Sequence, residues 1–278
     1  MSISKLNKFL CYLVLILLSI LCLISFYLLI INSTRAHSEI QKGFSFNFGD
    51  FFDANLKNVL DNDQLPVLKG IRNSLFVSIG TAILATYFSV LTAFSIHTYD
   101  FKFKRLAFTF IMMIMMVPPQ VSALGFIRWM GELDLMDSLI PLFLPSIASP
   151  IVFYFMLAYM QSNLPKATIE AARMDGSSEF RTFNLIVLPI MKPAIAVQAI
   201  FTFVSAWNNY FIPSLIIRSA EKKTLPILIA QLRSADYLKF DMGQVYMLIF
   251  LAIIPIIVVY IILSKYIVRG VAVGSVKE

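Results

Sequence analysis

Of the chain's 278 residues, 59% are hydrophobic and only 14% charged, with a formal net charge of +7. The mean hydropathy of +0.80 excludes an ordinary soluble domain, whose surface mixes apolar and charged groups. The positive balance calls for no nucleic acid, because membrane proteins keep Lys and Arg in their cytoplasmic loops.

The apolar residues fall in six long runs, about 9–31, 71–97, 106–128, 139–161, 188–217 and 244–266. A run of roughly 20 apolar residues crosses a bilayer core of about 30 Å as a helix. Lipid offers no partner for open backbone groups, so each run is expected to be helical. The fold class is therefore all-α, a polytopic membrane protein with six transmembrane helices. Two domains follow: residues 1–65 as an N-terminal membrane helix with an external segment, and 66–278 as the membrane core.

The first run follows Lys5 and Lys8, as a signal peptide would. It exceeds the roughly 7–15 apolar residues of a signal h-region, and no small-residue cleavage site follows it. Cys22 stands after Leu21, which is bulky where lipoprotein processing needs a small residue. The run therefore reads as a membrane helix. Cys11 and Cys22 lie eleven residues apart on it, about 16 Å along the axis, too far to pair within one helix.

Lys102, Lys104 and Arg105 follow the second run, whereas 129–138 holds Glu132, Asp134 and Asp137 with no Lys or Arg. The first loop is expected to be cytoplasmic and the second external. Six spans then put both termini in the cytoplasm, in agreement with Lys5, Lys8, Arg269 and Lys277. Pro118-Pro119 interrupts the third run and reads as a static kink more than as a hinge. Pro213 is expected to bend or stop the fifth run early.

His97, Arg128, Lys192 and Lys265 all fall near span ends, where long side chains reach the interface. Proton- and ion-coupled carriers rely on ionisable groups at mid-depth, so a channel or secondary carrier is the weaker alternative. The two histidines and two cysteines form no metal-ligand spacing. No GxxxxGK[ST] loop is present, so this chain carries no cofactor of its own and is not itself an ATPase.

The informative segment is 164–187, on the cytoplasmic side. Pro165 suits a first helical turn, and Glu170-Ala171-Ala172-Arg173-Met174 contains strong helix formers. Gly176 is expected to end the helix in a left-handed cap. Ser177 or Ser178 then caps a second helix from Glu179, leading through Phe180 and Phe183 toward the membrane. The small pair Ala171 and Ala172 leaves room for another protein. Taken alone, the pattern also fits an amphipathic helix lying at the interface.

The spaced set Glu170-Ala171-Ala172, Asp175-Gly176, Leu188-Pro189 and Pro193 resembles the permease subunits of ATP-binding-cassette (ABC) importers. The likeness covers roughly 66–278 and is nearest to the carbohydrate branch, the maltose-permease G-type subunits. It is carried further by Asn73-Ser74-Leu75, Asp137-Ser138-Leu139, Leu144-Pro145, Trp207-Asn208-Asn209-Tyr210 with Pro213, and Tyr266-Ile267-Val268-Arg269-Gly270. Asn209, where an acidic residue is common, and Lys166-Ala167-Thr168-Ile169 before Glu170 depart from the pattern.

The resemblance implies a type I ABC importer permease fold in the bacterial cytoplasmic membrane. It implies a second permease subunit, making a heterodimer, two ABC ATPase subunits that hold ATP and Mg, and an extracellular or periplasmic sugar-binding protein. Glu170, Ala171, Ala172, Asp175, Gly176 and Ser177 would dock on the ATPase. Lys222, Lys223, Thr224, Leu225 and Pro226 would meet the binding protein, or form an ordinary solvated loop. Trp207, Asn208, Asn209 and Tyr210 supply the rings and amides a sugar needs. They also fit an interfacial belt and a capped, bent helix. Sugar import is the leading reading, with glycerol phosphate or a polyamine as alternative solutes.

Overall fold

The computed structural model describes residues 5–62, 65–234 and 240–274. Lys277 lies outside the described residues, as do the side chains of Ile267, Val268, Arg269 and Gly270. Among the described residues every regular element is a helix. Five are long and apolar enough to cross a membrane: Asn7–Ser33, Val67–Thr98, Ile140–Asn163, Glu179–Trp207 and Met242–Tyr266.

The third run departs from the single kinked span expected. It forms α5 (Lys104–Ile114) and α6 (Pro119–Glu132), bent by 97° at the break. Pro119 excludes the helical conformation at Pro118, which is extended at φ −63° and ψ 131°. Pro118 also lacks the amide that would continue the α5 ladder. Six spans are counted only if this broken pair is one of them.

The chain forms two compact units, one of residues 1–67 with 228–254 and the other of 68–227 with 255–278. In the first, α1 (Lys5–Ser33) presents apolar side chains almost all round, as a lipid-facing helix must. After it come α2 (His37–Gln41) and α3 (Phe52–Leu60). The buried Asn55 amide donates to the carbonyls of Ser33 (2.9 Å) and Arg35 (3.0 Å), capping the end of α1. His37 Nδ1 accepts from the Met242 amide at 3.0 Å, and Phe52 meets Phe250 edge-on at 6.1 Å between ring centres. A Cβ on Gly243 would lie 2.7 Å from Asn55 Oδ1, so only glycine fits there.

The second unit packs α4 (Val67–Thr98), α8 (Pro150–Asn163) and α11 (Leu188–Trp207) around a core of Phe94, Met156, Met160, Phe183, Val187 and Met191. Ahead of α8 come α7 (Ile140–Phe143) and a 3₁₀ turn, Leu144–Ile147. Between α8 and α11 lie α9 (Lys166–Met174), α10 (Glu179–Thr182) and a π-helical turn, Phe183–Val187. The wide turn sits where Pro189 would otherwise crowd the carbonyl of Leu185. The fifth run does stop early: α11 ends at Trp207, and α12 (Phe211–Ile216) starts afresh. Pro213 has no amide to donate to Asn209 one turn back, so the helix cannot run through. The remaining helices are α13 (Leu225–Arg233) and α14 (Met242–Gly274).

Candidate coupling loop and solute cavity

The segment after α8 folds as its residues dictate. Pro165 is the N-cap of α9, one position before the first turn. At the other end Gly176 has φ +76°. Its amide donates to the Arg173 carbonyl and the Ser177 amide to that of Ala172, both at 3.0 Å. These are the two bonds of a Schellman motif, which needs a left-handed residue at the glycine position. Ser178 then caps α10, its hydroxyl accepting from the Arg181 amide at 3.4 Å.

One face of α9 turns inward. Ile169 and Ala172 are buried, so Ala172 is a packing residue and is not available to a partner. Glu170, Ala171, Asp175 and Gly176 are exposed, and Ser177 is half-buried, its hydroxyl accepting from Thr182 at 3.0 Å. Two apolar side chains project beside them: Met174 is 88% exposed and Phe180 74%. The sequence placed Phe180 on the way to the membrane; the structure puts it in the open.

The loop is tied back to α4. Arg173 Nε donates to Glu179 Oε1 at 2.7 Å, and the Tyr99 hydroxyl donates to Glu179 Oε2. The guanidinium also lies 5.3 Å from the centre of the Tyr99 ring. Partial burial, followed by the Glu179 carboxylate, pushes the Tyr99 phenol above its ordinary value.

Within the same unit, α4, α7, α8 and α11 enclose a cavity of about 640 Å³. Its α11 wall carries Gln198, Thr202, Ser205 and Asn209, spaced by four, three and four residues along one face. Thr81, Ser146 and Ser149 add hydroxyls, and the rings of Phe155 and Phe201 complete it; no ionisable side chain lines it. Among the described residues, the side chains of Gln198, Ser205 and Asn209 make no hydrogen bond, and Thr81 Oγ1 is buried without a partner. A buried hydroxyl left unpaired is costly, so this wall is built to accept something polar.

The four residues 207–210 are not brought together. Trp207 is 2% exposed and stacked on Phe203 at 5.8 Å, in the core and outside the cavity lining. Asn208 caps α11, Tyr210 is exposed outside the lining, and only Asn209 lines the cavity. Gln198, Thr202 and Ser205 were passed over in the sequence, although polar groups recurring on one face of an apolar helix signal a lumen.

The segment 218–226 is pegged to its own chain at three points. Asp137 Oδ1 accepts from the amides of Arg218 and Ser219, each at 2.9 Å, and from the Ser219 hydroxyl at 3.1 Å. Those bonds hold the Asp137 carboxyl far below the usual carboxylate range. Asn73 donates to the carbonyls of Glu221 (2.8 Å) and Lys223 (3.0 Å), while Ser74 accepts from the Leu225 amide at 2.8 Å. Lys69 pairs with Glu221 at 2.6 Å. Thr224 and Leu225 are thereby buried, Lys222 donates to Asp137, and Lys223 and Pro226 stay partly open.

A bundle of apolar helices around an uncharged cavity, with an exposed helix–turn–helix on its connecting segment, defines a multi-pass membrane permease. The chain belongs to the family of binding-protein-dependent transport system inner membrane components, which it matches over residues 85–273. It is 33% identical over 265 residues to the arabinooligosaccharides transport system permease protein AraQ of Bacillus subtilis, covering 94% of this chain and 92% of that one. It is 28% identical to the sn-glycerol-3-phosphate transport system permease protein UgpE of Yersinia pestis, covering 94% of each. Its fold is that of a chain in a bacterial ABC transporter involved in the import of the acidic polysaccharide alginate. The TM-score is 0.79 at 22% identity, covering 96% of this chain and 99% of that one.

Proposed function

We propose that this chain is one of two permease subunits of an ATP-driven importer, and that its solute is a neutral sugar or oligosaccharide. One observation carries the reading: a single helical rod, Glu179–Trp207, connects the exposed loop to the cavity wall. Glu170, Ala171, Asp175, Gly176 and Ser177, with Met174 and Phe180, form the surface that docks on an ATPase subunit. Ala172 supports that surface from within. ATP and Mg stay in the partner, and its closure is passed along the rod to the cavity.

A neutral solute agrees with a lining of amides, hydroxyls and two aromatic rings. Rings stack on sugar C–H faces and amides exchange hydrogen bonds with hydroxyls. A phosphorylated or anionic solute would call for Arg or Lys in the wall, and none lines it. Lys223 and Pro226 are the residues of the 218–226 segment best placed to touch an external binding protein, with Lys222, Thr224 and Leu225 shaping it from behind. Both termini are cytoplasmic in this reading.

The test is purification of the tagged chain from its native membrane. A second permease and an ATPase should accompany it, with ATP hydrolysis lost in Glu170→Lys while the chain remains inserted. A chain that purifies alone, or a Glu170→Lys complex with full sugar uptake, would return the protein to the channel or carrier class.

A further inference from the structure

A second cavity, of about 580 Å³, lies where α4 ends and α5 and α9 begin. Its volume falls within the roughly 300–1,000 Å³ of small-molecule sites. Five basic side chains line it: His97, Lys102, Lys104, Arg105 and Lys166. Of these, Lys104 is paired with Asp100 at 2.9 Å, and His97 Nε2 lies 3.0 Å from the Leu164 carbonyl oxygen. Among the described residues, Lys102, Arg105 and Lys166 form no ion pair and no side-chain hydrogen bond; Lys102 only overlies the Phe103 ring at 5.7 Å. The Asp100 carboxyl is lowered first by Lys104 and also by Lys166, so the two lysines act on one spot.

The first turns of α5 and α9 add their own positive ends. The free amides at a helix start attract anions, and here two such starts flank the basic side chains. The deeper wall is apolar, formed by Ile96, Phe108 and Leu157, which sit a turn or two inside three helices of the bundle. Beside it, α5 turns Leu106, Phe110 and Met113 outward at positions i, i+4 and i+7, each more than half exposed. An occupant with a negative head and an apolar tail lying along α5 fits both halves.

We infer that this cavity binds the headgroup of an anionic phospholipid, the phosphate held by Lys102, Arg105 and Lys166 and one acyl chain lying along Leu106, Phe110 and Met113. A soluble phosphate would use the same cations and leave the apolar half unsatisfied. A docked acidic protein segment would do the same. The inference rests on the membrane-spanning nature of α4, α5 and α8 and not on which solute is carried.

The test is native mass spectrometry of the protein, with whatever partners co-purify, released from bilayers of equal parts phosphatidylglycerol and phosphatidylcholine. The expected result is one phosphatidylglycerol retained through delipidation. The double variant Lys102→Gln/Arg105→Gln should reduce retention by roughly thirtyfold, at about fivefold per basic residue. Lys42→Gln/Lys57→Gln removes the same charge from exposed positions outside the cavity and should leave retention unchanged. The charge-preserving Lys102→Arg/Arg105→Lys should also retain the lipid, which separates lost charge from lost folding. Equal retention in both Gln doubles, or no preference over phosphatidylcholine, overturns the inference. So does inorganic phosphate bound in lipid-free micelles by a protein that keeps no phosphatidylglycerol.

Discussion

Gly176→Val isolates the backbone chemistry of the loop. Nothing lies within 4 Å of where its Cβ would be, so the substitution meets no clash. Its cost is conformational: φ of +76° is about 1–2 kcal/mol unfavourable for an ordinary side chain, and worse for a β-branched one. That cost falls on the two Schellman bonds, from Gly176 to Arg173 and from Ser177 to Ala172. The open turn should become roughly 5–30 times more populated. Hydrogen exchange of the membrane-embedded protein reads this directly, through faster exchange at Ser177. Uptake in proteoliposomes should fall by at least the same factor, with insertion unchanged. Gly176→Asn, which visits the left-handed region at low cost, should stay within about twofold of wild type. An unchanged Ser177 amide with normal uptake in Gly176→Val would refute the reasoning.

Three further outcomes are expected. Gln198→Leu with Asn209→Leu keeps side-chain volume and removes two open amides from the cavity; sugar uptake should drop roughly tenfold, at about 0.5–1.5 kcal/mol per lost hydrogen bond, with normal thermal stability. Trp207→Ala should instead cost about 3–5 kcal/mol of folding stability, seen as a lowered melting temperature in detergent, because its ring is buried on Phe203. Asp137→Ala should release 218–226 and expose Lys222 and Lys223 to trypsin. In the wild type the Asp137 carboxyl is depressed by its donors. Its contribution is therefore complete above the unfolded carboxylate value near 3.9 and is lost only as pH falls through the lower native value. Trypsin protection should then be flat between pH 8 and pH 5.

The loop was legible in the sequence because its chemistry is local. Pro165, Gly176 and Ser178 each act on their own backbone, and the structure uses each one at or beside the position expected. Asn73-Ser74 and Asp137-Ser138 were recognisable only by resemblance. Their purpose, pinning a segment some 80 to 150 residues away, depends on tertiary contact. The polar stripe of α11 was also visible as a period, but which face of a uniformly apolar helix meets α4 and α8 is decided by packing. Trp207 was misplaced for the same reason: four residues after Phe203 it shares that ring's buried face, and its ring suggested sugar. Pro118-Pro119 announced a bend, yet adjacent prolines do not say how far the chain turns before α6 resumes.

The π-helical turn at Phe183–Val187 sets a phase. It adds one residue to the rod, and one residue is about 100° of rotation and 1.5 Å of rise. The 29 residues from Glu179 to Trp207 extend about 43 Å, so that offset is carried undiminished to Gln198, Thr202 and Ser205. The angular setting of the amides and hydroxyls around the lumen is therefore indexed, like a cam on its shaft, by a turn near the opposite end of the rod. Deleting a single residue there would restore a regular helix and leave every contact group intact, yet it would aim them away from the lumen.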